Sequence, residues 1–184
     1  MEETATFNPV QQLNRRLYAM RNGIVADTLR RAGCPFKIIF GLNLPQLVEI
    51  AAETPKSVEL AEKMWFDTVK RENMLIAPML MPKEDMTIER ARRWVSIIPS
   101  AEVADILCHR LLRHCDFALP LASEMSESDK AMDRYLAVRL MFNLVSKYPQ
   151  EALKIARKEM VRNDRFTSMV AHGLEDEAKF ILGD

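Results

Sequence analysis

The stretch "WVSIIPSAEVADILCHRLLRH", residues 94–114, holds the end of one helix, a proline turn and the start of the next. Pro99 lacks an amide hydrogen and suits a connection, and Ser100 is a favourable N-cap for the helix that follows. From that cap, Ala104, Leu107, Cys108, Leu111 and Cys115 fall on one stripe at 100° per residue, the pattern of a helix packed on a core. Glu102, Asp105 and His109 run along the edge of that stripe. Two helices joined by so short a turn are antiparallel neighbours.

The same pattern extends in both directions. The spacing predicts helices over 8–20, 22–32, 44–53, 56–70, 72–80, 87–97, 100–115, 128–147, 150–162 and 165–181, with 123–130 as a long loop. In "SVELAEKMWFDTVK" (57–70), Val58, Ala61, Met64, Trp65 and Thr68 share one face; in "TIERARRWVSII" (87–98), the Thr87 cap precedes Ile88, Ala91, Trp94, Val95 and Ile98. Pro35, Pro45, Pro55, Pro82, Pro99, Pro120 and Pro149 read as punctuation between helices. Five glycines and a single Asn22-Gly23 hairpin signal argue against a fold made of many tight β-turns. The expected class is therefore all-α. Helix pairs recurring at roughly forty residues point to a HEAT/armadillo-like α-α superhelix, a solenoid of antiparallel pairs forming one domain over 1–184. Such a stack has a concave face that suits an extended partner. Val58, Met64, Trp65, Leu75, Trp94, Leu107, Leu111, Leu140 and Leu144 are the expected core.

With 184 residues the chain can bury a core without disulfides, and 48% hydrophobic with 28% charged residues excludes a largely disordered polymer. The 26 basic and 26 acidic residues cancel, so nucleic acid would have to be held by a local basic patch. Three cysteines, the acidic start "MEETATF" and the absence of a membrane-length apolar run predict a cytoplasmic protein with reduced thiols and no membrane association.

No glycine-rich phosphate loop, dinucleotide fingerprint or nucleophile elbow is present, so no cofactor is expected. Cys108, His109, His114 and Cys115 superficially suggest zinc. Cys108 and Cys115 lie on the apolar stripe and His109 points away from them, so one helix cannot close a four-ligand site and no metal is expected. Asp105, His109 and Arg113 stand four residues apart and can form a solvated ion-pair row. Basic residues cluster at Arg15, Arg16 and Arg21, at Arg30 and Arg31, at Arg90, Arg92 and Arg93, at Arg110 and Arg113, at Arg134 and Arg139, and from Lys154 to Arg165. Each cluster is either a solvated face or part of a phosphate-binding track. Trp65 and Trp94, on apolar stripes, read as core.

Between about residues 36 and 115 the chain resembles the DNA alkylation-repair glycosylases built from HEAT-like repeats. The residues that carry the likeness are "FKIIFGLNLPQLVEIA" (36–51), "LAEKMWFDTVKRENMLIAPML" (60–80) and "RRWVSIIPSAEVADIL" (92–107). Phe40-Gly41-Leu42 resembles the family's Phe-Gly-Ile turn into a helix, and Met64-Trp65, Glu72 and Ala77 resemble its Leu-Trp helix and following Glu and Ala. Ser100-Ala101-Glu102-Val103-Ala104-Asp105 corresponds to its Trp-Trp-Asp-x-x-Asp. The resemblance implies duplex DNA held in a basic concave groove and excision of cationic alkylated purines without base flipping. It gives Asp105 the role of stabilising the sugar as it gains oxocarbenium character. Glu102, His109, Arg113, Arg134 and Arg139 are the expected DNA-side residues. The family's paired aromatics are here Ser100 and Ala101, and its first Asp is Glu102.

Two readings therefore stand. One is a DNA N-glycosylase acting on alkylated purines; the other is a catalytically silent HEAT-like scaffold that binds protein or nucleic acid, which fits the neutral charge and the absent aromatics.

Overall fold

The computed structural model describes residues 8–183, so the acidic start lies outside the described residues. Eleven α-helices and two single 3-10 turns are found among them, with no strand. One isolated parallel bridge joins Ile38 and Lys70. The class is all-α, built from consecutive helices packed on each other, as an α-α repeat protein requires. The chain divides into two compact units, up to Asp85 and from Met86 onward.

The first unit contains α1 (Pro9–Ala19), α2 (Gly23–Arg31), α3 (Leu44–Ala52), α4 (Val58–Trp65) and α5 (Arg71–Leu80). Side chains of Asn8, Asn22, Asn43 and Ser57 each accept a first-turn amide of the helix they precede, which fixes where the helices begin. Helix α4 packs on α5. Val58, expected in the core, is only half-buried, while Met64 and Trp65 are fully enclosed.

At the heart of this unit is the Phe40-Gly41-Leu42 turn. Glu72, wholly buried, accepts the Phe40 and Gly41 amides at 2.9 Å each and the Arg71 guanidinium at 2.8 Å. Arg71 also donates to the Leu42 carbonyl at 3.1 Å. Gly41 has φ +83°, and a Cβ there would meet the Asn22 carbonyl oxygen at 2.3 Å and the Ala26 nitrogen at 2.8 Å. Backbone atoms cannot swing aside, so only glycine lets the turn lie against α2.

The second unit contains α6 (Ile88–Val95), α7 (Ala101–Arg110), α8 (Ala118–Ser126), α9 (Ala131–Leu144), α10 (Pro149–Arg162) and α11 (Ser168–Leu182). Thr87 and Ser100 cap α6 and α7 as their sequence predicts. Helix α9 packs on α7, α8, α10 and α11 and is buried on almost every side. Leu140, Leu144 and Trp94 lie in this core.

Two expectations are corrected. Residues 118–126 form α8, where Pro120 had suggested a connection; the proline sits in the first turn, whose amides have no partner within the helix. The helix expected over 100–115 stops at Arg110, because Leu111 leaves the helical region at φ −133° and ψ −64° and a 3-10 turn follows over Leu112–His114.

Replacing Glu72 by Ala strands a buried guanidinium and two amides, and is expected to lower the unfolding free energy by about 3–5 kcal/mol. Urea denaturation followed by tryptophan emission checks this. Removing the exposed Glu59–Lys63 pair should leave the transition where it is, since both side chains face solvent.

Candidate functional site

Helix α7 begins where the Ser100 hydroxyl accepts the Val103 amide. Val103, Ala104, Leu107 and Cys108 turn into the core, and Asp105 is left on the margin with 34% of its side chain exposed. Its partner comes from another helix. Tyr135, Arg139 and Asn143 stand four apart on α9 and so share one face. Arg139 Nε donates to Asp105 Oδ1 at 2.6 Å, and the Tyr135 hydroxyl donates to the same oxygen at 3.1 Å. Oδ2 makes no hydrogen bond to the described residues. The terminal amino groups of Arg139 make none either, while its guanidinium stacks 5.4 Å over the Phe142 ring.

One turn along, His109 Nδ1 lies 3.0 Å from Asn143 Oδ1 and 3.3 Å from Arg113 Nη1. Asn143 Nδ2 donates back to the Arg139 carbonyl at 2.8 Å. Arg113 Nε is also 3.1 Å from His114 Nε2. Two polar rows, 105–109 on α7 and 135–139–143 on α9, thus face each other, and the anticipated Asp105–His109 pair gives way to Asp105–Arg139. A cross-helix guanidinium is the stronger partner because the carboxylate hydrogen bond it makes is charge-assisted.

Charge and burial shape the site. Burial works against the positive charge of Arg139, but the hydrogen bond and the charge of Asp105 outweigh it and raise the pKa. Burial, reinforced by the Asp105 charge, pushes the Tyr135 phenol up to about 12. The same two influences raise the Cys108 thiol, whose sulfur donates to the Leu136 carbonyl at 3.7 Å. Cys108 is a core thiol as expected, whereas Cys115 is only half-buried.

The other expected residues are dispersed. Glu102 is half-buried in the first turn of α7. Arg134, expected at a phosphate, lies in the interior with 8% of its side chain exposed. Its Nε donates to Glu159 at 3.0 Å, Nη1 to the Ser128 and Asp129 carbonyls at 3.2 and 2.8 Å, and Nη2 to Asp164 at 2.6 Å. No edge of that guanidinium is left for a phosphate. Several expected cationic tracks are also neutralised locally: Arg92 chelates Glu124, Arg157 pairs with Glu175, and Lys158 with Glu127. Among the described residues no three His, Cys, Asp or Glu side chains could hold a metal ion. A cavity of about 450 Å³ in the first unit, beside Arg21, Arg30 and Phe40, contains none of the expected site residues.

Sequence reading missed Tyr135 and Asn143. Their signal was available as the four-residue spacing of Tyr135, Arg139 and Asn143 in an otherwise apolar helix.

A sequence model of the family described as DNA alkylation repair enzyme matches residues 13–181. The chain belongs to this DNA alkylation repair family. The match runs through both units and includes every residue of the Asp105 site, and it supports a function like DNA alkylation repair. No curated protein and no solved structure gives a significant match. No helix among the described residues is long and apolar enough to cross a membrane.

The raised phenol gives a spectroscopic test. Tyr135 is expected to ionise near pH 12 by its absorbance, and Tyr135→Phe should delete that step. The folded protein favours the neutral phenol, so the associated stability is complete below pH 10 and declines as pH rises from 10 towards 12.

Proposed function

We propose that this protein, in the cytoplasm, binds duplex DNA along the α7–α9 rows and excises alkylated purines as an N-glycosylase. The observation that supports this reading is the state of Asp105: one oxygen is clamped by Arg139 and Tyr135, the other takes no hydrogen bond from the described residues, and 34% of the side chain is exposed. In the reaction the C1′–N bond breaks and its electron pair leaves with the purine, neutralising the cationic ring. Water then adds to C1′ and loses a proton. A cationic base needs no general acid, which suits a site whose nearby phenol is held neutral by burial.

What such a reaction needs is a negative charge fixed near C1′. The free Oδ2 supplies it, and the two donors on Oδ1 keep the carboxylate from rotating away as positive charge grows. Arg139 terminal amines, Arg113 and His109 are the phosphate contacts in this reading, with Glu102 bordering the same face. Arg134 acts instead as an internal tie. No metal or cofactor takes part.

The alternative is a silent HEAT-like module binding nucleic acid or protein. Ser100 and Ala101 favour it, because the first turn of α7 offers no aromatic surface to a lesion.

Release of alkylated purine from methylated duplex DNA separates the two. Wild type should release base, and Asp105→Asn should do so about 100- to 1000-fold more slowly while still binding DNA. Affinity should fall steeply with salt, by roughly a thousandfold between 50 and 200 mM if six phosphates are contacted. Folded wild type that releases nothing leaves the silent module, and salt-insensitive binding removes the phosphate contacts.

A further inference from the structure

We propose that the outer face of α11 is an interface with a second copy of this chain. Helix α11 packs on α10 and α9 and carries Ala171, Leu174 and Ala178 into the core. On its other side Met169 is 85% exposed and Phe180 82%, and His172 and Asp176 between them are exposed as well. At 100° per residue these four lie within an arc of about 80°, so they form one stripe along the helix. Large apolar side chains aligned on a stripe with polar groups, rather than scattered singly, mark a surface that another molecule covers. None of the four belongs to the α7–α9 rows, so the interface is independent of the Asp105 site.

The order of the stripe selects the partner. From Met169 to Phe180 it runs apolar, basic, acidic, apolar, at positions 169, 172, 176 and 180. Turned end for end and laid on itself, it sets Met169 against Phe180 of the second copy and His172 against Asp176 of the second copy, and the two-fold axis repeats both contacts. The two kinds of pair agree in height to within one residue, about 1.5 Å along the helix. Parallel pairing would instead oppose His172 to His172 and Asp176 to Asp176, which like charge disfavours. The polar groups are available for this contact. His172 Nδ1 lies 2.8 Å from the Ser168 carbonyl oxygen, which accepts its hydrogen, so Nε2 is the nitrogen that, in the imidazolium, donates to the second copy's carboxylate. One turn from His172 on its own helix stand Glu175 and Asp176. Glu175 is already bound by Arg157 of α10 and by Lys179, whereas Asp176 makes no ion pair with the described residues. A thioether against an aromatic ring is itself a favourable apolar pair. A contact along one helix face buries no more than about 1,200 Å², the range of weak and reversible complexes.

Sedimentation velocity of the full chain at concentrations from about 5 µM to about 1 mM tests the interface, with wild type expected to associate reversibly to a dimer with a Kd on the order of 100 µM. Phe180→Lys should weaken association at least about tenfold. His172→Asp and Asp176→Lys should each weaken it by placing like charges across the contact. The double variant restores opposite charges in reversed order and should return to within about threefold of wild type. These side chains are exposed, so the variants are expected to fold, and helical circular dichroism checks that each has done so. Wild type that stays monomeric at about 1 mM overturns the proposal. So does a dimer indifferent to Phe180→Lys, which puts the contact on another face, or a double variant no better than the single ones, which excludes the antiparallel pairing.

Discussion

Helix α9 has almost no surface of its own, and that constraint organises the second unit. A helix buried on nearly every side cannot leave polar groups to water, so each of its charged side chains must find a partner on a particular neighbour. Arg134 and Arg139 are five residues apart and hence about 140° apart around the helix axis. One points to Glu159 and Asp164, tying α9 to α10 and to the turn before α11; the other points to Asp105 on α7. Apolar packing of Leu136, Leu140 and Met141 would tolerate small rotations of α9. Two guanidiniums with fixed partners in opposite directions do not.

Glu72 and Asp105 are carboxylates of very different kind. Glu72 has both oxygens occupied by amides and a guanidinium and is closed to solvent; it shapes a turn and has nothing left to offer a ligand. Asp105 has both of its donors on one oxygen, and a third of its side chain is open. Chemically these are the same group at different degrees of saturation.

Much of this was legible in the sequence. The amphipathic stripes of α4 and α6, the caps Thr87 and Ser100 and the buried Trp65 and Trp94 follow directly from periodicity and capping chemistry. The all-α class and the family resemblance came from the same residues. What escaped reading was non-local. Asp105 and His109 are neighbours by spacing, yet Asp105 is taken by a residue 34 positions away. Arg134 and Arg139 were not told apart because the row of Tyr135, Arg139 and Asn143, which gives α9 its phase, went unread. Helix α8 was hidden by Pro120, whose place in the first turn looks the same in sequence as a break.

The neutrality of the chain bears on how it could hold a polyanion. A bare carboxylate at a DNA-facing edge would repel the phosphates that flank its target sugar, and at short range that repulsion exceeds what distant lysines can offset through screened solvent. Pairing Asp105 with Arg139 at 2.6 Å removes the net charge of the site while leaving its two ends distinct: an open oxygen anion on one side and open guanidinium amines on the other. Such a dipole can present its negative end to a sugar and its positive end to a phosphate at once. Under the proposed reading it confers little long-range attraction, so an encounter with DNA would be guided less by steering than by these short-range contacts.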